Sequence, residues 1–406
     1  MGTTTTPIWE LRDIIVEAGA TDIYKCYQCG KCASVCPWYQ TEAVNFPTYK
    51  FPLAAQLGRI ASSENKEELS REVTEVYRCV GCEACVDQCP QDVNIPNILR
   101  AVRRILVDYG SYPDTLKPVV SKIHNVGNPL GEPRGKRADW AKDLAIPPFQ
   151  PDMEFLYFPG CFPAYDPRLR KVAISVAKIL RKAGVSFGIL GEKEWCCGEA
   201  IRRAGAEKIF QEAAQSNITA FKNAGVEKIV VTSPHCYTTF KNEYPELGGD
   251  FEVLHTTQLF YQLIKEGSLK PNKLKELEGP NDSTTQRPND PIKVVYHDPC
   301  TLGRQNGIYE EPRGILCSIP GLELMEIKNF SRQFAFCCGG GSGGLWLDWP
   351  KGERMADIRV QQALDTGAEV LAVACPYCLQ MFEDSVKTMN LDLQVMDVSE
   401  LLAEAL

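Results

Sequence analysis

Residues 223–236, NAGVEKIVVTSPHC, align without a gap to residues 365–378, DTGAEVLAVACPYC. In each stretch a glycine (Gly225, Gly367) closes a polar segment, a short aliphatic run follows, and the stretch ends at a cysteine. Glycine after a helix and an apolar run of strand length predict passage from a helix into a buried strand. Two further segments match upstream in the same order, with small shifts in spacing between them: EFLYFPGC (154–161) matches KVVYHDPC (293–300), and EKEWCCGE (192–199) matches RQFAFCCGG (332–340). Matches kept in order over this distance are an internal repeat. Cys236 then pairs with Cys378, His235 with Tyr377 and His255 with Asp397, while Ser233 stands where Cys375 does.

Each repeat reads as an α/β unit. EFLYFP and IKVVYH are short buried strands that end at a cysteine loop. From Pro167 onward, Leu169, Val172, Ala173, Val176, Leu180 and Ala183 share one helical face, with Arg181 and Lys182 in the last turn and Gly184 as the stop. Strands alternating with helices predict parallel sheets, whose chemistry gathers beyond the strand carboxyl ends. The cysteines fall at those ends. The second repeat has Cys300, Cys337, Cys338, Cys375 and Cys378, spaced C-x36-CC-x36-C-x2-C. The first has Cys161, Cys196, Cys197 and Cys236.

Upstream, residues 26–37 read CYQCGKCASVCP and residues 79–90 read CVGCEACVDQCP, both C-x2-C-x2-C-x3-C-P. This is the bacterial ferredoxin run, and in two-cluster ferredoxins the fourth cysteine of each run ligates the other cluster. Cluster A is therefore expected on Cys26, Cys29, Cys32 and Cys89, and cluster B on Cys79, Cys82, Cys85 and Cys36. Zinc motifs come as C-x2-C pairs rather than runs of four ending in proline. Helix-favouring stretches, FPLAAQLGRIASS and NKEELSREVTEVY, lie between the runs.

The totals agree with this reading. Of 406 residues, 18 are cysteine and only four histidine, and the tight grouping of the cysteines reads as metal binding in a reducing compartment rather than a disulfide scaffold. A net charge of -8 argues against nucleic acid as a partner. The sequence has neither a signal-peptide core nor an apolar run of membrane-spanning length, so a cytoplasmic protein with at most peripheral membrane contact is expected. GGGSGG (339–344) matches the dinucleotide fingerprint, but it starts at a cysteine, and a row of glycines matches almost any glycine pattern.

In these motifs the chain resembles the CCG-domain proteins: heterodisulfide reductase D-like subunits and the iron–sulfur subunits of glycolate, lactate and glycerol-3-phosphate dehydrogenases. The part between the two C-x2-C-x2-C-x3-C-P runs is similar to the helical ferredoxin domain of fumarate and succinate dehydrogenase iron–sulfur subunits. The resemblance implies an α+β multi-domain chain: a helical ferredoxin domain with two [4Fe-4S] cubanes (1–125), a linker (126–152), CCG repeat 1 (153–269), a polar linker (270–291) and CCG repeat 2 (292–406). It also implies a noncubane [4Fe-4S] cluster on Cys300, Cys337, Cys338, Cys375 and Cys378. Adjacent cysteines suit such an open cluster because each reaches a different iron, and the glycines after them let backbone N–H groups approach its sulfurs. Repeat 1 departs from the pattern at Ser233. Its four thiols leave open a cubane, a zinc ion, a serine-ligated cluster or an empty remnant.

The implied function is an Fe–S oxidoreductase subunit, active within a larger complex. It would relay electrons between a flavoprotein partner and an acceptor. The alternatives are a disulfide reductase that cleaves its substrate at the noncubane cluster and a zinc-stabilised assembly protein with no redox role. His297 and Asp298 are candidates to deliver protons or to fix the Cys300 loop. Arg304 and Arg332 are candidates for an anionic substrate, and the basic helix with Arg168, Arg170, Lys171, Lys178, Arg181 and Lys182 for an acidic partner. Cys317 reads as a buried core thiol. His124, His235 and His255 read as structural.

Overall fold

A computed structural model of the chain describes residues 6–41, 46–274, 290–349, 352 and 354–406. The chain forms two units. One comprises Met1–Ser121 together with Glu199–Phe210 and Gly339–Met355; the other holds Lys122–Gly198, Gln211–Cys338 and Ala356–Leu406. The two short excursions into the first unit each begin just after a cysteine pair. The 270–291 linker falls largely outside the described residues.

The first unit is helical. Both expected helices form, as Lys50–Gln56 and Lys66–Arg78. The shorter one stops before Gly58, whose φ of +61° suits glycine and where a Cβ would strike the Ile8 carbonyl. The longer one is capped by Asn65, whose side chain accepts from the Glu67 and Glu68 N–H groups. The central helix is Ile95–Asp108, which buries Ile95, Ile98, Leu99, Ala101, Val102 and Leu106 on one side, and with them Arg103.

The second unit contains both repeats as two four-stranded parallel sheets. Repeat 1 has β1 (Phe155–Phe158), β2 (Phe187–Gly188), β3 (Lys228–Val231) and β4 (Glu252–His255), in spatial order β2-β1-β3-β4. Repeat 2 has β5 (Ile292–Tyr296), β6 (Leu322–Met325), β7 (Val370–Val373) and β8 (Gln394–Asp397), in order β6-β5-β7-β8. The two orders are the same. β1 and β7 are buried at every residue, as strands covered on both faces require. The helix read from Pro167 onward runs from Arg170 to Lys182, buries Val172, Ala173, Val176 and Leu180, and ends at Gly184 with φ +73°.

The repeats also share their caps. His255 and Asp397 each end the last strand of their sheet and close a capping box, His255 on Thr256–Lys265 and Asp397 on Val398–Glu404. Helix Val398–Glu404 of repeat 2 packs on Arg170–Lys182 of repeat 1, and Thr256–Lys265 of repeat 1 packs on Glu310–Cys317 of repeat 2. These are equivalent pairs exchanged, so the repeats meet about a pseudo-two-fold axis. At one of the two contacts Gly314 lies against the Tyr261 ring, where a Cβ would have no room.

Candidate metal centres

The two cysteine runs of the first unit adopt the same backbone. Gln28 (φ +58°) and Gly30 (φ +79°) in one, and Gly81 (φ +65°) and Glu83 (φ +60°) in the other, are left-handed at the same offsets from the first cysteine. Non-glycine residues take this conformation at a cost, so its recurrence marks a demanded loop shape. Amides turn inward as a result: Gln28 N lies 3.4 Å from Cys26 Sγ, and the Gln28 side-chain Nε2 3.2 Å from it. One cavity is lined by Cys26, Cys29, Cys32 and Cys89. A second is lined by Cys36, Cys79, Cys82 and Cys85. Each draws three thiols from one run and the fourth from the other. Burial, with the charge of neighbouring cysteines, pushes the Cys36 and Cys85 thiols well above the ordinary range. A cationic metal core is what makes so dense a set of thiolates tenable.

Arg103, which the sequence did not single out, organises the second cavity. It is 2% exposed and donates to four carbonyls: Val76 (2.8 Å), Cys79 (2.6 Å), Arg203 (3.0 Å) and Ser342 (3.2 Å). It thereby ties the Cys79 loop to both segments that follow the paired cysteines. The glycine-rich loop packs there by close backbone approach. A Cβ on Gly341 would come within 2.5 Å of the Val80 carbonyl, and one on Gly81 would meet the Ser342 hydroxyl. The structure thus gives these glycines a packing reason that the sequence reading did not supply.

Repeat 2 links Cys337, Cys338, Cys375 and Cys378 in a chain of contacts, and places Cys300 beyond the end of β5, where the strand order reverses. Cys300 follows β5, Cys375 is the residue before helix Pro376–Met389, and Cys378 lies in that helix's first turn. All five are buried, between 1% and 8% exposed. Cys338 and Cys378 sulfurs are 3.3 Å apart, and a His297 ring nitrogen lies within 4.8 Å of both. Hydrogen bonds from Cys337 and Cys378, with His297 behind them, hold the Cys338 thiol well below its ordinary range. Burial raises Cys375, yet hydrogen bonds from Cys378 and His235 bring it down to about 6. Arg359, fully buried, donates from Nε to His297 Nδ1 at 3.1 Å, which leaves the proton on Nε2 for the sulfur side. Asp298 is held by both Nη atoms of Arg313 (2.6 and 2.9 Å) and by the Arg332 N–H (2.8 Å). It therefore fixes the loop before Cys300.

In repeat 1, a cavity is lined by Cys161, Cys196, Cys197, Ser233, His235 and Cys236, together with Tyr377 of repeat 2. Ser233 occupies the N-cap position of Pro234–Thr238 but makes no capping hydrogen bond. Gly160 keeps the cavity open, since a Cβ there would stand 3.6 Å from Cys236 Sγ and 3.9 Å from the Ser233 Cβ. Arg137 and Glu194, each with a side chain 1% exposed, form an ion pair at 2.9 Å, and Arg137 Nη1 reaches Cys161 Sγ at 3.6 Å. Arg137 comes from the stretch 126–152, expected from the sequence as a linker. That stretch instead folds into short 3-10 turns, Arg134–Lys136 and Asp139–Leu144, against repeat 1. The convergent thiols, the cradle at Gly160 and the buried cation fit a metal–sulfur group.

Cys317, Arg168, Arg304 and Arg332 depart from the sequence expectations, while His124 and His255 hold structural places. Cys317 is exposed, because it closes helix Glu310–Cys317 on that helix's outer side. Arg168 is no docking residue: it pairs with Glu383 and Glu400 of repeat 2, the latter at 2.6 Å. Arg304 Nη1 donates to the Gln333 and Ala335 carbonyls, and Arg332 pairs with Glu310, so both hold loops. His124 pairs with Glu212 at 2.9 Å on the surface, and His255 is a cap.

The comparisons with known proteins match these divisions. A 4Fe-4S dicluster domain matches residues 22–93, and a cysteine-rich domain, CCG, matches twice, at 155–241 and 294–383. Over 95% of its length the chain is 33% identical to the EtfAB:quinone oxidoreductase of Syntrophomonas wolfei and 34% identical to the probable iron-sulfur-binding oxidoreductase FadF of Bacillus subtilis. It spans 58% and 60% of those two proteins. It is 31% identical to the D-type component of the dihydromethanophenazine:CoB–CoM heterodisulfide reductase of Methanosarcina barkeri, over 94% of this chain and 93% of that one. A hypothetical protein from Helicobacter pylori shares the fold, with a TM-score of 0.52 at 12% identity over 90% of this chain and 74% of that one. Among the described residues no helix is long and apolar enough to cross a membrane. From a dicluster domain followed by two CCG domains, and from its near full-length match to the heterodisulfide reductase component, the chain belongs to the CCG-domain family of iron–sulfur oxidoreductase subunits that includes the D-type components of heterodisulfide reductases.

Proposed function

We propose that the chain is the electron-transfer subunit of a redox complex, passing electrons between a flavoprotein and an acceptor. The observation that carries this is the exchange of the fourth cysteine, which builds two four-thiol cavities in one unit. Iron–sulfur clusters, when bound, take up and release single electrons. Cys26, Cys29, Cys32 and Cys89 would hold one cubane; Cys36, Cys79, Cys82 and Cys85 the other. Cys300, Cys337, Cys338, Cys375 and Cys378 would hold a noncubane cluster, and the thiols of repeat 1 a further metal site. Cys29 is exposed and Tyr27 is 71% exposed, so the Cys26 set presents the edge that a protein partner can approach. The relative named for EtfAB and quinone supports an electron-transferring flavoprotein on one side and a quinone on the other.

A second reading, disulfide reduction at repeat 2, is favoured by the match to the D-type component of heterodisulfide reductase. The burial of all five cysteines favours the relay, since a bulky disulfide would need the site to open.

The test is anaerobic iron, sulfide and zinc analysis with EPR, on wild type and Cys338→Ser. At least about 12 irons per chain are expected, with about four fewer and one EPR signal lost in the variant. A variant that keeps its iron and every signal overturns the repeat 2 assignment, and zinc in place of most of the iron overturns the redox reading. Disulfide reduction by the isolated subunit with an artificial donor would favour the second reading.

A further inference from the structure

We propose that Arg137 is the positioning residue of the repeat 1 site, where its guanidinium, anchored by Glu194, donates to Cys161 Sγ and raises the reduction potential of an iron–sulfur cluster held by Cys161, Cys196, Cys197 and Cys236. The inference rests on the reading of repeat 1 as a metal site and deepens it.

An arginine buried to 1% exposure is costly unless something anionic needs it. Glu194 answers only part of that need. Its Oε2 accepts from Arg137 Nε at 2.9 Å, and its Oε1 from the Leu190 N–H at 3.1 Å. Arg137 Nη1 is turned to Cys161 Sγ at 3.6 Å, and Nη2 has no hydrogen-bond partner among the described residues. The guanidinium also lies over Phe158, 5.2 Å from the ring centroid, so it stands in a low-dielectric wall where its field is poorly screened. A thiolate ligand of a cluster supplies the acceptor that the Nη donors lack. A cation and a donor at a ligand sulfur stabilise the reduced state of a cluster more than the oxidised one, because reduction adds negative charge.

Repeat 2 solves the same problem differently. The residue aligned with Glu194 is Ala335, and the one aligned with Phe158 is His297. Its buried cation, Arg359, acts through His297 rather than on the cysteine after the first strand. The two sites are therefore tuned by separate devices. A remnant site with only a packing role would have no use for a buried guanidinium directed at its first cysteine.

The test is an EPR-monitored redox titration of the full chain, with metal analysis, on wild type, Glu194→Gln and Arg137→Met/Glu194→Gln. The repeat 1 signal is identified as the one lost in Cys161→Ala. The double variant leaves no unpaired buried charge, so folding is not put at risk by an orphaned carboxylate. The repeat 1 signal is expected to move to lower potential in the double variant by about 59 mV or more, a tenfold change in the reduced-to-oxidised ratio. It is expected to move upward in Glu194→Gln, with the other signals unmoved in both. Unmoved repeat 1 signals in both variants, with iron retained, overturn the role of Arg137. A wild-type chain with about 12 rather than about 16 irons, none of them lost in Cys161→Ala, overturns the reading of repeat 1 itself and the proposal with it. Zinc in repeat 1 does the same, since zinc has no potential to tune.

Discussion

His235 of repeat 1 and Tyr377 of repeat 2 hold equivalent positions in the two repeats and lie ring to ring, with centroids 4.5 Å apart and planes tilted by 35°. They mark the pseudo-two-fold axis. Each also crosses it: His235 hydrogen-bonds Cys375, and Tyr377 lines the cavity of repeat 1. The sequence assigns His235 local packing or hydrogen bonding rather than metal ligation, and its hydrogen bond goes to a cysteine of the other repeat.

His235→Phe keeps the ring and removes the donor. The EPR signal assigned to the Cys375 set is expected to shift to lower potential, although the substitution lies in repeat 1. Iron content is expected to stay at the wild-type level. An unmoved signal would return His235 to a packing role.

Arg103→Met removes the donations to the Val76 and Ser342 carbonyls, which are buried, and to those of Cys79 and Arg203, which are part-buried. Hydrogen bonds from a charged donor contribute about 1.5–3 kcal/mol each, and the two buried acceptors are left without a partner. A loss of about 3 kcal/mol or more is expected, read as a lower thermal midpoint. Iron should be lost first from the cavity of Cys36, Cys79, Cys82 and Cys85. Uniform loss of iron from every site would show a general destabilisation instead.

The repeat was legible because β1, β3, β5 and β7 are short apolar runs that lead into cysteine loops, and because buried strands tolerate little else. The helix after β1 follows from its own periodicity, whereas β2, β4, β6 and β8, the sheet orders and the shared caps at His255 and Asp397 emerge only in the structure. Arg103, Arg137 and Arg359 were not legible. Each is a charged residue in an ordinary helix or turn, and only the tertiary structure shows that it is buried and aimed at carbonyls, a cysteine or a histidine. Arg168 failed for the opposite reason. A cluster of basic residues on a helix looks the same whether it faces solvent or Glu383 and Glu400. The glycine-rich loop sat between these cases, since its special backbone was evident but the Val80 carbonyl it packs against was not.

Asp397 offers a test by pH. It is 4% exposed, and burial raises its carboxyl to about 7 even though it caps a helix and accepts from the Ser399 N–H at 2.9 Å. A folded-state value above the unfolded one means that the native state binds the extra proton. The stability this proton provides is present at low pH and is lost as pH rises through about 7. Asn caps as well as Asp and carries no charge. Asp397→Asn is therefore expected to be more stable than wild type at and above neutrality, with a difference in thermal midpoint that grows from about pH 4 to about pH 7 and then levels off. His255 works in the opposite sense. Burial lowers it to about 4, so its contribution is present above its unfolded value and falls away in acid. The wild-type minus variant difference isolates Asp397. A difference that is flat with pH would mean that the buried carboxylate stays ionised throughout.

Ser233→Cys asks how far the two repeats remain the same structure. Ser233 is at the N-cap of Pro234–Thr238 as Cys375 is at the N-cap of Pro376–Met389, and neither side chain caps its helix. The backbone that presents Cys375 in repeat 2 is thus retained in repeat 1 at Ser233. On the proposed reading, in which the four thiols of repeat 1 hold a cluster, the substitution is expected to leave the iron count near wild type. The repeat 1 EPR signal should come to resemble that of repeat 2, since the ligand set then matches. A gain of about four irons would mean instead that the wild-type thiols hold no iron and that Ser233 is what keeps the site from filling.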